Sequence, residues 1–122
     1  MKSNLEKKRL GRLGEDIACM YLEEKGFRII ARNYTVRGGE IDLVATDERY
    51  VVFVEVKCRK NDVFSKASEA VSSKKIAHLV TAAERFLFER PTDIRGKQPR
   101  FDVIEVYTQK NTVNHIKSID IN

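Results

Sequence analysis

Apolar residues fall into two helical and five extended patterns along the chain. From about residue 4 to residue 26, Leu10, Leu13, Ile17, Met20 and Tyr21 recur at helical spacing, and Gly26 marks a stop. Residues 27–33 favour a strand, and Arg37-Gly38-Gly39 is a turn signal. Two stronger strands follow at 40–46 and 50–58, the second rich in β-branched and aromatic types. Only Asp47-Glu48-Arg49 separates them, so a β-hairpin is the natural link. Residues 59–70 read as a polar, mobile loop. Ser72 or Ser73 can cap a second helix that runs to about Glu89, where Pro91 stops it. A strand at 100–108 and a weaker edge strand at 112–119 complete the order α-β-β-β-α-β-β. The pattern predicts one α/β domain across 1–122, with a mixed central sheet flanked by helices.

Composition narrows the setting. With 122 residues, 42% hydrophobic and 34% charged, the chain is globular and large enough for one ordinary core. No apolar run approaches the ~18 residues of a membrane span, and the basic N-terminus has no apolar stretch behind it. A cytoplasmic protein is expected. Cys19 and Cys58 are too few for a disulfide scaffold and lack metal-type spacing, so both are expected to be reduced and structural. The net charge of +5 suggests a polyanionic partner because of where the positives fall. Lys7, Lys8, Arg9 and Arg12 lie near the start; Lys57, Arg59, Lys60 and Lys66, then Lys74 and Lys75, come later, and together they cluster around the segments that carry the chemistry.

The hairpin concentrates the chemistry. A turn centred between Glu48 and Arg49 sets Asp42 opposite Glu55 and Glu40 opposite Lys57. The two-residue period then puts these four on one face, and Ile41, Leu43, Val54 and Val56 on the other. Opposed carboxylates at ~5 Å destabilise a sheet unless they share a proton, meet cations or hold a metal. Asp42 and Glu55 together suit a hard divalent ion such as Mg²⁺. Lys57, one pleat along, can orient a metal-bound water or neutralise charge at phosphorus. The competing reading is a solvated face on which Glu40 and Lys57 form a plain cross-strand ion pair.

Three further positions stand out. Glu15 lies at the edge of the apolar arc formed by Leu10, Leu13, Ile17, Ala18, Tyr21 and Leu22, where it can reach the carboxylates or stay solvated. Gly11 and Gly14 would let that helix approach the sheet closely. Lys75 shares the stripe of Leu79, Ala82, Ala83 and Phe86, so it either snorkels or aims at an anion, while Lys74 points away. Arg100 and Asp102 share a strand face as an active-site rim or a structural ion pair.

These residues carry a family resemblance. The strings Gly11-Arg12-Leu13-Gly14-Glu15-Asp16-Ile17-Ala18, Gly26-Phe27, Arg32-Asn33-Tyr34, Gly39-Glu40-Ile41-Asp42-Leu43-Val44 and Phe53-Val54-Glu55-Val56-Lys57-Cys58-Arg59 occur in that order. With Ala70-Val71, Lys75 and Arg100-Phe101-Asp102-Val103, the chain resembles the YraN-type family of predicted endonucleases over nearly its whole length. That family is similar to archaeal Holliday-junction resolvases within the PD-(D/E)xK superfamily. The resemblance implies a restriction-endonuclease-like core with Mg²⁺ or Mn²⁺ as cofactor. It also implies Glu15, Asp42, Glu55 and Lys57 as catalytic residues, with Asp42 and Glu55 as the metal ligands. The residue before the first acid is Ile41 rather than the customary proline. The expected function is a metal-dependent endonuclease on DNA, including branched or repair-intermediate structures. Arg12, Arg59, Lys60 and Lys75 are the expected nucleic-acid contacts, and a homodimer would supply two sites for two strands. The alternatives are a non-catalytic nucleic-acid-binding or adaptor module on the same fold, and a protein-interaction domain.

Overall fold

The computed structural model describes residues 4–59, 71–89, 92 and 94–121. Helix α1 (Asn4–Glu24) leads into strands β1 (Arg28–Val36), β2 (Gly39–Thr46) and β3 (Tyr50–Arg59). Helix α2 (Ser73–Glu89) then crosses to β4 (Gln98–Tyr107), and β5 (Thr112–Ile116) follows. The strands form one sheet in sequence order, β1-β2-β3-β4-β5. All neighbours are antiparallel except β3 and β4, which run parallel from Tyr50–Gln98 to Arg59–Tyr107. Among the described residues the chain therefore forms a mixed five-stranded α/β sheet with two helices. Among the described residues no helix is long and apolar enough to cross a membrane.

Each helix buries one face against one side of the sheet. Ala18, Cys19 and Leu22 of α1 pack with Leu43, Val52, Val54 and Ile104. Leu79, Ala82, Ala83 and Phe86 of α2 pack with Ile41, Val44, Phe53 and Val103. Phe86 meets Phe53 and Tyr34 edge-on, at centroid distances of 5.9 and 5.2 Å. Burying such aromatic and aliphatic surface supplies most of the driving force for this layering. Neither Cys19 nor Cys58 is in a disulfide; the first is buried in the α1 layer, where burial pushes its pKa up.

Two expectations about facing change. Leu13 and Met20 are 48% and 62% exposed, whereas Gly14, Ala18, Cys19 and Leu22 form the buried stripe. The cause is Gly14, where an added Cβ would lie 3.2 Å from Cys58 Cβ and 3.3 Å from its Sγ. Having no side chain there lets α1 turn that edge onto β3 and carry Leu13 outward. Gly11, in contrast, meets nothing within 4 Å. The second change is Ile41, which packs on the α2 side with Val44 while Leu43 packs on the α1 side. Two residues three apart on one face break the alternation by one position at Asp42. Alongside it Asn33 of β1 has φ +52°, between the pairs Arg32–Leu43 and Tyr34–Ile41. Asn adopts this left-handed conformation more readily than most residues.

Candidate functional site

The β2–β3 hairpin has the register its length dictates, with partners Leu43–Val54, Val44–Phe53, Ala45–Val52 and Thr46–Val51. Asp47 closes the turn, its Oδ1 accepting from the N–H groups of Arg49 at 2.9 Å and Tyr50 at 2.8 Å. The paired ladder stops at Leu43–Val54, one step before Asp42 and Glu55. There the Val56 N–H donates to Asp42 Oδ2 at 2.8 Å. The carboxylate thus supplies an acceptor to the edge of β3 where its pairing with β2 has ended.

Charge gathers at this opening. Glu55 is 3% exposed, a burial that an ionised carboxylate tolerates only with cationic or hydrogen-bonding partners. Its Oε1 lies 3.6 Å from Lys57 Nζ and 3.5 Å from Lys75 Nζ. Lys75 also donates to Glu40 Oε1 at 3.1 Å. Burial first, and the Glu55 charge second, push the Asp42 carboxyl from 3.8 up to about 7; Glu15 adds to the rise, while the Val56 N–H and Lys75 oppose it. Burial pulls the Lys75 ammonium down, but the Glu40 hydrogen bond and the charges of Glu55, Glu40 and Asp42 leave it raised.

Glu15 reaches the same corner from α1. It accepts from Asn33 Nδ2 at 3.1 Å, and Arg32 lies 3.7 Å away while donating to Asp16 at 2.8 Å. Asn33 therefore bends β1 beside Asp42 and also holds Glu15. This positioning role was missed in the sequence reading, although an Asn inside a strand signals a left-handed residue.

Of the expected site residues, Glu15, Asp42, Glu55, Lys57 and Lys75 converge. Glu40 turns to Lys75, so the plain Glu40–Lys57 cross-strand pair does not form. Arg12 is exposed on α1. Arg59 is tied to the fully buried Glu105, its Nε donating at 2.6 Å, with Asn114 donating to the other oxygen at 2.8 Å. Lys60 and most of the loop expected at 59–70 lie outside the described residues. Arg100 and Asp102 form a buried ion pair on the α1 side of the sheet, away from the carboxylate opening.

The donor set suits a hard divalent cation. Asp42 and Glu55 supply carboxylate oxygens, and the upward push on Asp42 is a repulsion that such a cation relieves. Among the described residues, however, no three His, Cys, Asp or Glu side chains are grouped closely enough to form a ready-made cage. Mg²⁺ and Mn²⁺ accommodate this, since they are commonly held by one or two carboxylates together with water and phosphate oxygens.

Residues 14–106 match the profile of the uncharacterised protein family UPF0102. A UPF0102 protein of Carboxydothermus hydrogenoformans is 38% identical over 117 residues, covering 94% of this chain and 98% of its own length. One from Desulforapulum autotrophicum is 47% identical over 109 residues, covering 87% and 86%. One from Caldanaerobacter subterraneus is 42% identical over 117 residues, covering 92% and 94%. On this match and these identities, the chain belongs to the family UPF0102.

Proposed function

We propose that the protein is a metal-dependent endonuclease of the PD-(D/E)xK type, acting on DNA and including branched or repair-intermediate structures. The observation that carries this reading is the Asp42–Glu55 pair. Two acids at the mouth of a closed ladder, one pushed up to about 7, adjoin a lysine 3.6 Å from Glu55. Asp42 and Glu55 would hold Mg²⁺ or Mn²⁺, which supplies Lewis-acid polarisation and a more acidic water when bound. Lys57, still 29% exposed at its side chain, can meet a phosphate oxygen and offset charge that grows on phosphorus. Glu15, held by Asn33 at the same corner, can accept a proton from water or orient it. The half-exposed Lys75 borders this corner and Arg12 is exposed on α1, and a phosphate backbone would be drawn to such cations.

A second reading has its own support. Glu55 already has two ammonium neighbours, which suits a non-catalytic nucleic-acid-binding module that kept the fold. Calorimetric titration of Mn²⁺ into the wild type and into an Asp42→Ala/Glu55→Ala double variant separates the two. The nuclease reading expects one site in the wild type and none in the variant, with cleavage confined to the wild type. Equal heats from both proteins would overturn it.

A further inference from the structure

A second group of ionisable side chains lies on the other side of the sheet, under α1. Asp102 is fully buried there, yet four donors reach it. Arg100 Nε donates to Oδ1 at 3.0 Å and Nη2 to Oδ2 at 2.9 Å. The Ser118 N–H donates to Oδ1 at 3.0 Å, and His115 Nε2 lies 2.7 Å from Oδ2. Burial would raise the Asp102 carboxyl, but these partners hold it below its ordinary value, so it is an anion. A carboxylate acceptor fixes the tautomer of His115: Nε2 carries the proton, and Nδ1 accepts from the Tyr21 hydroxyl 3.0 Å away.

This relay ends in open space. A cavity of about 340 Å³ is lined by Tyr21, His115 and Arg100, by the ammonium-bearing Lys25 and Lys117, and by Phe27 and Asp47. Its lining thus has three fixed positive charges against one negative. Lys25 stands 5.7 Å from the centroid of the Tyr21 ring, and no acid among the described residues pairs with Lys25 or Lys117. The one acid, Asp47, already accepts two backbone N–H groups in the hairpin turn. Arg100 is clamped by Asp102 and layered against Tyr50 at 4.7 Å and Phe27 at 5.8 Å, so its guanidinium is pre-positioned.

We propose that this cleft is a second anion site, distinct from the carboxylate opening, that takes a phosphomonoester. The two lysines, together with the Arg100 N–H groups that Asp102 does not take, suit a dianionic phosphate, and Phe27 offers an apolar wall to whatever carries it. Two sources present that chemistry: a free mononucleotide, or the 5′-phosphate at the end of a strand. The inference does not depend on the nuclease reading, because none of its residues belongs to the Asp42–Glu55 site.

The test is NMR titration of the His115 ring and Tyr21 resonances with inorganic phosphate, with 5′-AMP, and with a 5′-phosphorylated oligonucleotide beside its 5′-hydroxyl twin. Saturable shifts at His115 and Tyr21 are expected. Lys25→Gln and Lys117→Gln, both surface changes, should each weaken binding about three- to fivefold. Asp42→Asn should leave the shifts unchanged, which separates this site from the other. Preference for the phosphorylated oligonucleotide over its twin assigns the strand end, and equal behaviour of the twins with binding of 5′-AMP assigns the free nucleotide. No shift at His115 and Tyr21, or shifts indifferent to both lysine changes, overturns the site.

Discussion

The Val56 N–H donates to Asp42 Oδ2 at 2.8 Å, across the point where β2 and β3 stop pairing. One carboxylate oxygen is thereby committed to the backbone, and the acid is fixed beside Glu55. An acid free to swing away would relieve its repulsion by moving. This one relieves it only by taking up a proton or by meeting a cation.

A pH dependence of stability follows from that constraint. Burial, and then Glu55, raises Asp42 to about 7, so the folded protein keeps a proton that the unfolded chain releases near 3.8. The stability linked to this group is full below about pH 4 and is lost as pH rises through about 7. The loss is on the order of 1–3 kcal/mol once partial exposure is allowed for. Asp102 has the opposite sign: its carboxyl is held low, so its stability is lost only as pH falls below its ordinary range. Urea unfolding in chelator should therefore weaken from pH 5 to pH 8 in the wild type and much less in Asp42→Asn. Excess Mn²⁺ at pH 8 should restore the wild type alone. Parallel curves for the two proteins refute the assignment.

Lys57 and Lys75 flank the same oxygen of Glu55, at 3.6 and 3.5 Å, but they should behave differently when removed. Lys75 also bonds Glu40 and competes with any cation for the acids. Lys75→Met should tighten Mn²⁺ binding several-fold and weaken low-salt DNA binding. Lys57→Ala should leave Mn²⁺ binding within about threefold of the parent yet lower cleavage about a hundredfold or more. Matched losses of metal binding and cleavage in both variants would show that the lysines only support the fold.

Much of this arrangement was legible in the residue pattern because it is local. The three polar residues at 47–49 set the hairpin register, and that register brings Asp42 and Glu55 to adjacent strands. Helical spacing puts Lys75 on the stripe of Leu79, Ala82 and Phe86, and the structure keeps it there. What was missed depends on contacts between distant segments. The shift at Ile41 coincides with Asn33 of the neighbouring strand, and the exposure of Leu13 follows from Gly14 meeting Cys58. The Asp102–His115–Tyr21 relay joins residues 13 and 94 positions apart, and no local period reports such a separation.

The seat of α2 on β2 is a final point of control, and it rests on Gly39. A Cβ at this residue would lie 2.7 Å from the His78 carbonyl oxygen and 2.8 Å from the Ala82 nitrogen. Both are backbone atoms of a helix, so no rotamer change can make room and α2 itself must move. The same helix holds Lys75, whose ammonium reaches Glu40 and Glu55. Gly39→Ala should therefore cost about 1–3 kcal/mol and also loosen Lys75 from the acids. Gly11→Ala is the control: it sits in α1 with nothing within 4 Å, and should be neutral or stabilising by about 0.5–1 kcal/mol. Urea denaturation of both variants measures the difference, and Mn²⁺ titration of Gly39→Ala reads the local effect. A Gly39→Ala protein as stable as the parent, with unchanged metal affinity, would mean that α2 does not depend on this close approach.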